Sequence, residues 1–382
     1  MPDSVDIQHM ARALQLAEQG LYSTDPNPRV GCVIVNDGQV IGEGWHRKAG
    51  EPHAEVHALR AAGPKARGAT AYVTLEPCSH HGRTPPCANA LCEAGVARVV
   101  MAMRDPNPQV GGAGIERLEA AGIAVDVGTL GAEAEKLNPG FSKRMRQGLP
   151  WVHAKIAMSL DGRTAMASGE SQWITGPQAR ADVQRLRARC SAVITGIGTV
   201  LADDPSLTVR PEDMGSIGLF AAPGRQPVRV ILDSQLQMPA EAKLLSLPGR
   251  VVIISSEQAL KAAPERQAAL QEAGAEVIAL AAQGRPSWLA VLKWCGEQAF
   301  NEVLVEAGPT LAGSAQAAAI IDELWIYQAF TLLGSEGRPM MTLPLERMAE
   351  QQRLTVLDAR RLGEDMRYRL GSNNEVGECL PG

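Results

Sequence analysis

His53-Ala54-Glu55, followed by Pro77-Cys78 and then Cys87, is the set of side chains in this 382-residue sequence best suited to chemistry. A catalytic zinc takes three protein ligands and keeps its fourth position for water. One imidazole and two thiolates meet that count. Glu55 stands two residues after His53, near a helix start, where it can reach the water without ligating the metal. Zinc lowers the pKa of such a water from about 16 to about 7. A nearby carboxylate can then carry the proton from nucleophile to leaving amine, a role worth about 10²–10⁴-fold in rate. Either thiol alone would fit an inert core cysteine, and the ligands without Glu55 would fit a structural zinc knuckle. All four residues in this order favour catalysis.

His-x-Glu followed by Pro-Cys-x-x-Cys is the signature of zinc deaminases acting on bases and nucleotides. The second half departs from it here, because eight residues separate Cys78 from Cys87. The spacer Ser79-His80-His81-Gly82-Arg83-Thr84-Pro85-Pro86 is too polar for a helix interior. It reads as a loop that supplies substrate contacts. Cys32, Cys92, Cys190, Cys295 and Cys379 lack such company and read as packing or surface residues, and His57 reads as structural.

The C-terminal half holds a second group of polar segments. Lys155-Ile156-Ala157-Met158-Ser159-Leu160-Asp161-Gly162-Arg163 closes a strand-like run. Gly196-Ile197-Gly198-Thr199 runs on to Asp203-Asp204-Pro205, and Leu207-Thr208-Val209-Arg210 follows. Val303-Leu304-Val305-Glu306 leads into Ala307-Gly308-Pro309-Thr310-Leu311, a strand, turn and helix start where free N–H groups favour a phosphate. The Gly-x-Gly at 196–198 lacks the third glycine of a dinucleotide fingerprint. A generic turn between strand and helix accounts for each fragment taken alone.

Helices and strands alternate around these residues. Apolar side chains at Ile7, Met10, Ala11, Leu14 and Ala17 predict a helix over 4–19 closed by Gly20. Val30–Val35 and Val40–Gly42 read as strands of a hairpin turning at Asn36-Asp37-Gly38. A helix begins near Ala54, a strand spans 69–75, a short helix 88–94 and a strand 96–103. The helix-then-strand pattern repeats at 115–121 and 123–127, giving an α/β sandwich with its sheet between helices. The polar stretch 133–146 predicts an exit helix, and Gln147-Gly148-Leu149-Pro150 a boundary. Beyond it strands are predicted at 152–157, 192–195, 228–232, 251–255, 303–306 and 324–328, with helices such as 177–189 and 259–273. There is no internal repeat or low-complexity tract. The expected division is residues 1–148, residues 149–370 and a frayed tail at 371–382.

Composition narrows the functional classes. This length suits two domains better than one core. A content of 45% hydrophobic and 21% charged residues is that of a folded chain. The net charge is −5, and the first 150 residues hold 15 basic against 16 acidic side chains, so neither half has the surplus needed to grip a long polyanion. A nucleic-acid partner is therefore not expected, whereas a small phosphorylated substrate needs only one or two arginines. No run approaches the roughly 18 apolar residues of a membrane span. Met1-Pro2-Asp3-Ser4 does not open a secretory signal, and seven cysteines make an odd set for a disulfide framework. A cytoplasmic enzyme with reduced thiols, forming a homo-oligomer, is expected.

Pro26-Asn27-Pro28-Arg29-Val30-Gly31, Gly42-Glu43-Gly44-Trp45-His46, Ala49-Gly50-Glu51-Pro52-His53-Ala54-Glu55 and the whole segment from Glu76 to Cys87 resemble the bacterial bifunctional riboflavin-biosynthesis deaminase/reductase family. The long Cys–Cys spacer separates that family from cytidine, deoxycytidylate and tRNA-adenosine deaminases. The resemblance runs from about residue 5 to 365 and is weakest around 211–227 and 235–300. It implies a cytidine-deaminase-like α/β sandwich followed by a dihydrofolate-reductase-like α/β domain. It also implies one zinc ion per chain on His53, Cys78 and Cys87, Glu55 as proton carrier, and Asn27, His46, His80 and Arg83 lining the pocket. In the second domain it implies NADPH held by Ala157, Trp173, Thr199, Asp203, Ser234 and the turn Gly308, Pro309 and Thr310. Ser171, Arg187, Leu207, Arg210 and Glu306 are implied to hold a ribosyl phosphate. Ala307 stands where the family has a second glycine, which matters only if φ there is positive. Lys155 is the candidate for assisting protonation, with a structural ion pair as its alternative.

The reactions implied are deamination of a diaminopyrimidine ribosyl phosphate and then NADPH reduction of its ribosyl group to ribityl. Two rivals are weighed against this. A nucleic-acid base deaminase would need a groove for flanking nucleotides, which the charge balance disfavours. The other rival joins a zinc deaminase of another base or nucleotide to a non-catalytic C-terminal ligand-binding or assembly module.

Overall fold

The computed structural model describes residues 3–79, 86–108, 110–216, 220 and 223–372. The chain divides into two compact units: Met1–Leu149 with Ser216–Gly224, and Pro150–Gly215 with the chain from Arg225 onward.

In the first unit the order is α1 (Ser4–Glu18), β1 (Gly31–Asn36), β2 (Gln39–Trp45), α2 (Ala54–Ala62), β3 (Thr70–Val73), α3 (Cys87–Ala94), β4 (Arg98–Met101), α4 (Ala113–Ala120), β5 (Ala124–Val127), α5 (Gly131–Leu137) and α6 (Pro139–Gln147). The strands form one sheet in the order β2-β1-β3-β4-β5. Its β2-β1-β3 part is antiparallel, and β3, β4 and β5 run parallel. Side chains alternate across a strand, and that period divides the core in two. Cys32, Ile34, Ala71, Val73, Val99 and Met101 pack with Ala54, Ala58, Leu91 and Leu118 of α2, α3 and α4. Val33, Val35, Tyr72 and Val100 pack with Met10, Ala13 and Leu16 of α1 and Ala134 of α5. The expected sandwich, with its sheet between helices, is the result. Gly44 is required by this packing, because a Cβ there would come within 2.3 Å of the Ala54 carbonyl oxygen.

The second unit runs β6 (Trp151–Ser159), β7 (Arg163–Ala165), α7 (Pro177–Arg189), β8 (Ala192–Gly196), α8 (Ile197–Asp203), β9 (Val228–Leu232), α9 (Lys243–Ser246), β10 (Val251–Ser256), α10 (Glu257–Ala262), α11 (Pro264–Glu272) and β11 (Glu276–Ala281). It continues with α12 (Trp288–Glu297), β12 (Glu302–Val305), α13 (Pro309–Ala317), β13 (Glu323–Ala329), β14 (Arg338–Pro339), β15 (Leu354–Leu362) and β16 (Asp365–Ser372). Nine strands form one sheet in the order β11-β10-β9-β8-β12-β6-β13-β16-β15, while β7 pairs with β14 apart from it. Strands β11 to β13 are parallel, and β16 and β15 add an antiparallel hairpin. The central strands β8, β10 and β12 are almost wholly buried, as parallel strands covered on both faces must be.

Three expectations are corrected. The exit helix is two helices, because Asn138 leaves helical geometry (φ −123°, ψ 42°) and Pro139 cannot donate to the preceding turn. The helix expected at 259–273 is likewise divided at Ala263, before Pro264. Fraying does not begin at Gly371, which pairs with both Glu323 and Thr355 within the sheet. Residues 373–382 of the expected tail lie outside the described residues.

Candidate active sites

Two helix starts converge beyond the end of β3. His53, in extended geometry, is the N-cap residue of α2, and Cys87, directly after Pro86, is the first residue of α3. Their ligand atoms and Cys78 Sγ all lie within 4.8 Å of one another, the one such group among the described residues. His53 Nδ1 is 3.2 Å from Cys87 Sγ and 3.6 Å from Cys78 Sγ. The Cys87 N–H donates to Cys78 Sγ at 3.3 Å. A hydrogen bond from the Cys87 thiol brings the Cys78 thiol down to about 4, with His53 and the Cys87 N–H adding to the effect. The same bond and burial push the Cys87 thiol up. One nitrogen and two sulfurs at this spacing fit the tetrahedral donor set of zinc.

Glu55, in the first turn of α2, is only 3% exposed, and burial lifts its carboxyl to about 6. Its Oε2 is buried with no hydrogen-bond partner among the described residues. A solitary carboxyl oxygen beside three ligand atoms can accept and return a proton.

Asn27 and His46 join this group. His46 Nδ1 lies 3.2 Å from the Pro52 carbonyl and Nε2 3.1 Å from Asn27 Nδ2. Burial pushes His46 down to about 4, so the ring is neutral. A neutral ring that donates from Nδ1 must accept at Nε2, which makes the Asn27 amide the donor. The His46 and His53 rings meet edge-on at 5.2 Å between centroids. His80 and Arg83 lie outside the described residues.

Two features of this site escape the sequence reading. Asn138, at the break between α5 and α6, accepts from Arg29 N–H at 2.8 Å and donates to the Arg29 carbonyl at 2.9 Å. It thereby ties down the segment carrying Asn27, and the Asn138-Pro139 dipeptide was its signal. Asp25-Pro26-Asn27-Pro28 also recurs as Asp105-Pro106-Asn107-Pro108. Asp105 lines a narrow crevice with Glu76, Cys78 and Ser79.

In the second unit, half of the residues singled out follow the carboxyl ends of neighbouring parallel strands. Lys155 and Ala157 lie on β6, Thr199 and Asp203 on α8 after β8, and Ser234 just beyond β9. Glu306 directly follows β12, and Gly308, Pro309 and Thr310 open α13. Open α/β sheets bind ligands along that edge. Gly308 is an N-cap without a side-chain cap, and a Cβ there would meet nothing within 4 Å. This uncapped start of a nine-residue helix suits a cofactor phosphate. Ala307 is not among the residues with positive φ, so its methyl strains nothing.

Lys155, Arg187 and Glu306 form a single cluster, with Glu306 buried and the two cations partly so. Arg187 Nε and Nη2 donate to the two Glu306 oxygens at 2.5 and 3.0 Å, and Nη1 donates to the Thr208 carbonyl at 3.2 Å. Lys155 Nζ lies 3.4 Å from Glu306 Oε2. Burial pushes the Glu306 carboxyl up, but the charges of Arg187 and Lys155 outweigh it and bring it to about 2. Leu207 has φ +52° and packs its side chain into the core, so it offers a ligand only backbone groups. Arg210 is half-exposed and paired with Asp213, and its N–H donates to Gln184 Oε1 at 3.0 Å. Trp173 is 70% exposed, with the Arg180 guanidinium 4.8 Å from its ring centre. Ser171 stands partly exposed nearby in sequence, and the Ser234 carbonyl accepts from Ser256 Oγ at 3.0 Å.

Residues 3–103 match the family described as the cytidine and deoxycytidylate deaminase zinc-binding region, and residues 150–368 match the RibD C-terminal domain. The chain is 51% identical over 365 residues to the riboflavin biosynthesis protein RibD of Escherichia coli (strain K12), covering 94% of this chain and 98% of that protein. Acinetobacter baumannii RibD, form 1, superposes with a TM-score of 0.88 at 49% identity, over 97% of this chain and 99% of its own. The diaminohydroxyphosphoribosylaminopyrimidine deaminase/5-amino-6-(5-phosphoribosylamino)uracil reductase of Thermotoga maritima superposes with a TM-score of 0.82 at 34% identity, over 96% and 99%. A non-catalytic C-terminal module is not favoured by these likenesses. No helix among the described residues is long and apolar enough to cross a membrane. A zinc-binding deaminase domain followed by a reductase domain, matched along nearly the whole chain, places this protein in the family of bifunctional riboflavin-biosynthesis deaminase/reductases.

Proposed function

We propose that the first unit, with one zinc ion per chain on His53, Cys78 and Cys87, hydrolyses the C2 amino group of 2,5-diamino-6-ribosylamino-4(3H)-pyrimidinone 5′-phosphate. The second unit then reduces the ribosyl group of the resulting 5-amino-6-(5-phosphoribosylamino)uracil with NADPH. The T. maritima relative is named for this pair of activities. The observation that carries the reading is the convergence of three nitrogen and sulfur donors beside Glu55, whose Oε2 has no partner among the described residues.

Bound zinc supplies Lewis acidity and with it a nucleophile from water at neutral pH. Glu55 takes up the proton released as the C–O bond forms at C2 and delivers it to the amino nitrogen as the C–N bond breaks. Ammonia leaves and the oxygen stays as a ring carbonyl. Neutral His46 holds Asn27 in place toward the ring, and we assign His80 and Arg83 to substrate contacts on the family resemblance alone. In the second unit NADPH, when bound, would supply the hydride for C1′, with the electron pair of the opened C1′–O4′ bond left on O4′. Lys155, ion-paired with Glu306 at 3.4 Å, is the candidate to protonate the released oxygen. Arg210, with Ser171 and the backbone of Leu207, receives the ribosyl phosphate, and the paired Arg187 and Glu306 line the same substrate site behind it. Ala157, Trp173, Thr199, Asp203, Ser234 and the Gly308–Thr310 turn receive the cofactor.

The full chain, given the diaminopyrimidine substrate, should release ammonia without NADPH and oxidise NADPH once it is added. Glu55→Gln should lower ammonia release at least about a hundredfold while still reducing supplied aminouracil intermediate. Loss of both activities together would refute the role given to Glu55.

A further inference from the structure

We propose that Glu76 is a positioning residue for the metal centre, fixing the backbone from which Cys78 presents its sulfur. The inference rests on the zinc reading of His53, Cys78 and Cys87 given above. Glu76 is buried, stands two residues before Cys78, and donates its own N–H to the Met103 carbonyl at 3.0 Å. Its carboxylate gathers backbone N–H groups from one segment beyond β4. Asp105 donates at 3.1 Å, Gly112 at 2.9 and 3.0 Å, Gly114 at 2.9 Å and Ile115 at 3.4 Å. Three of these donors lie at or next to the first turn of α4, where the helix dipole also favours a negative group.

The link from this network to Cys78 has no slack. Pro77 restricts the one intervening residue. A Cβ on Gly114 would come within 2.1 Å of the Pro77 carbonyl oxygen and 3.1 Å of Glu76 Cγ, so α4 packs directly on this link. On the far side, Ala88 N–H donates to the Cys78 carbonyl at 3.2 Å and Cys87 N–H to its sulfur at 3.3 Å. Cys78 is thus held between the starts of α3 and α4, with the Glu76 carboxylate as the clamp on the α4 side. Glutamine at this position would keep one acceptor oxygen but turn an NH₂ toward donors. Groups that orient metal ligands typically alter metal affinity about 10- to 100-fold when replaced.

The test uses the full chain and reads zinc affinity by chelator competition, together with the ligand-field and thiolate charge-transfer bands of the cobalt(II)-substituted protein. Glu76→Gln should weaken zinc binding about 10- to 100-fold and shift the cobalt bands, while reduction of supplied intermediate stays normal. Gly114→Ala, which displaces the same link from the α4 side, should reproduce both effects and serves as the test if Glu76→Gln does not fold. Leu118→Ala removes a fully buried side chain from the core-facing side of α4. It should lower the melting temperature and leave the cobalt spectrum unchanged. Unchanged zinc affinity and spectrum in Glu76→Gln and Gly114→Ala would overturn the proposal. So would an equal loss in Leu118→Ala, which would make Glu76 a contributor to general stability only. Wild-type protein that binds no zinc would instead overturn the underlying assignment of the site.

Discussion

Replacing Glu306 by glutamine should destabilise the second unit by about 3 kcal/mol near neutral pH, with the effect fading in acid. The Glu306 carboxylate is buried, accepts two bonds from Arg187 and faces Lys155 Nζ at 3.4 Å. Burial alone would raise its carboxyl, yet the two cations bring it from the ordinary 4.5 to about 2. Each tenfold change in an ionisation constant corresponds to about 1.4 kcal/mol, so pairing net of burial contributes about 3 kcal/mol. That agrees with the roughly 3–5 kcal/mol lost when one partner of a buried pair is removed. A carboxyl whose folded pKa lies below its unfolded value stabilises the fold above the unfolded pKa. That stability is lost as pH falls through the folded one. The gap between wild type and Glu306→Gln should therefore be widest above pH 4.5 and close toward pH 2. Five of the six tryptophans, at 151, 173, 288, 294 and 325, belong to the second unit. Urea unfolding followed by tryptophan fluorescence thus reports mainly on that unit. A variant within about 1 kcal/mol of wild type at pH 7 would contradict the ion-pair ledger, since exposed pairs give no more than that. A gap that ignores pH below 4.5 would contradict it equally.

Two further substitutions separate the units. Cys87→Ser should reduce zinc from one ion per chain to well below that by elemental analysis and abolish ammonia release, leaving reduction of supplied intermediate intact; full zinc with full turnover would remove Cys87 from the ligand set. Arg210→Ala should raise the KM for the phosphorylated intermediate about 10- to 150-fold, the equivalent of one charge-assisted hydrogen bond, with little change in NADPH affinity. Steady-state kinetics in both substrates checks this, and an unchanged KM would make Arg210 a solvated surface residue.

The first unit was legible because its strands alternate between two faces that are both covered. The apolar residues of β1 alone, Cys32 and Ile34 against Val33 and Val35, announce two helical layers. The hairpin was legible from Asp37 and Gly38, which adopt φ 47° and 73° as a two-residue turn of this hand requires. The hairpin β15–β16 was not legible, because β15 is an exposed edge strand with no buried alternation. What holds β16 is remote in sequence: Arg367 donates to Asp182 at 2.9 Å and Arg369 Nε to Glu323 at 3.0 Å. Pairings across 185 and 46 positions leave no local trace.

The same distinction separates the two candidate sites. His-x-Glu and Pro-Cys are legible because so few residue types ligate zinc or move its protons, and their order survives folding. The second site depends on carboxylates and arginines, which occur everywhere in a soluble chain, and its central pair is 119 residues apart. Read by resemblance, Arg187 and Glu306 both face the substrate and Lys155 assists protonation, with a structural ion pair as its alternative; folded, the three are one ion-paired group. Arg187 commits three of its five donors to Glu306 and Thr208. Its geometry therefore serves first to hold Glu306 and the 207–210 segment. Arg210, half-exposed and, among the described residues, tied through its side chain only to the exposed Asp213, has surface to offer. An exposed pair of that kind holds by less than about 1 kcal/mol, so a phosphate can displace Asp213 where it could not displace Glu306 from Arg187.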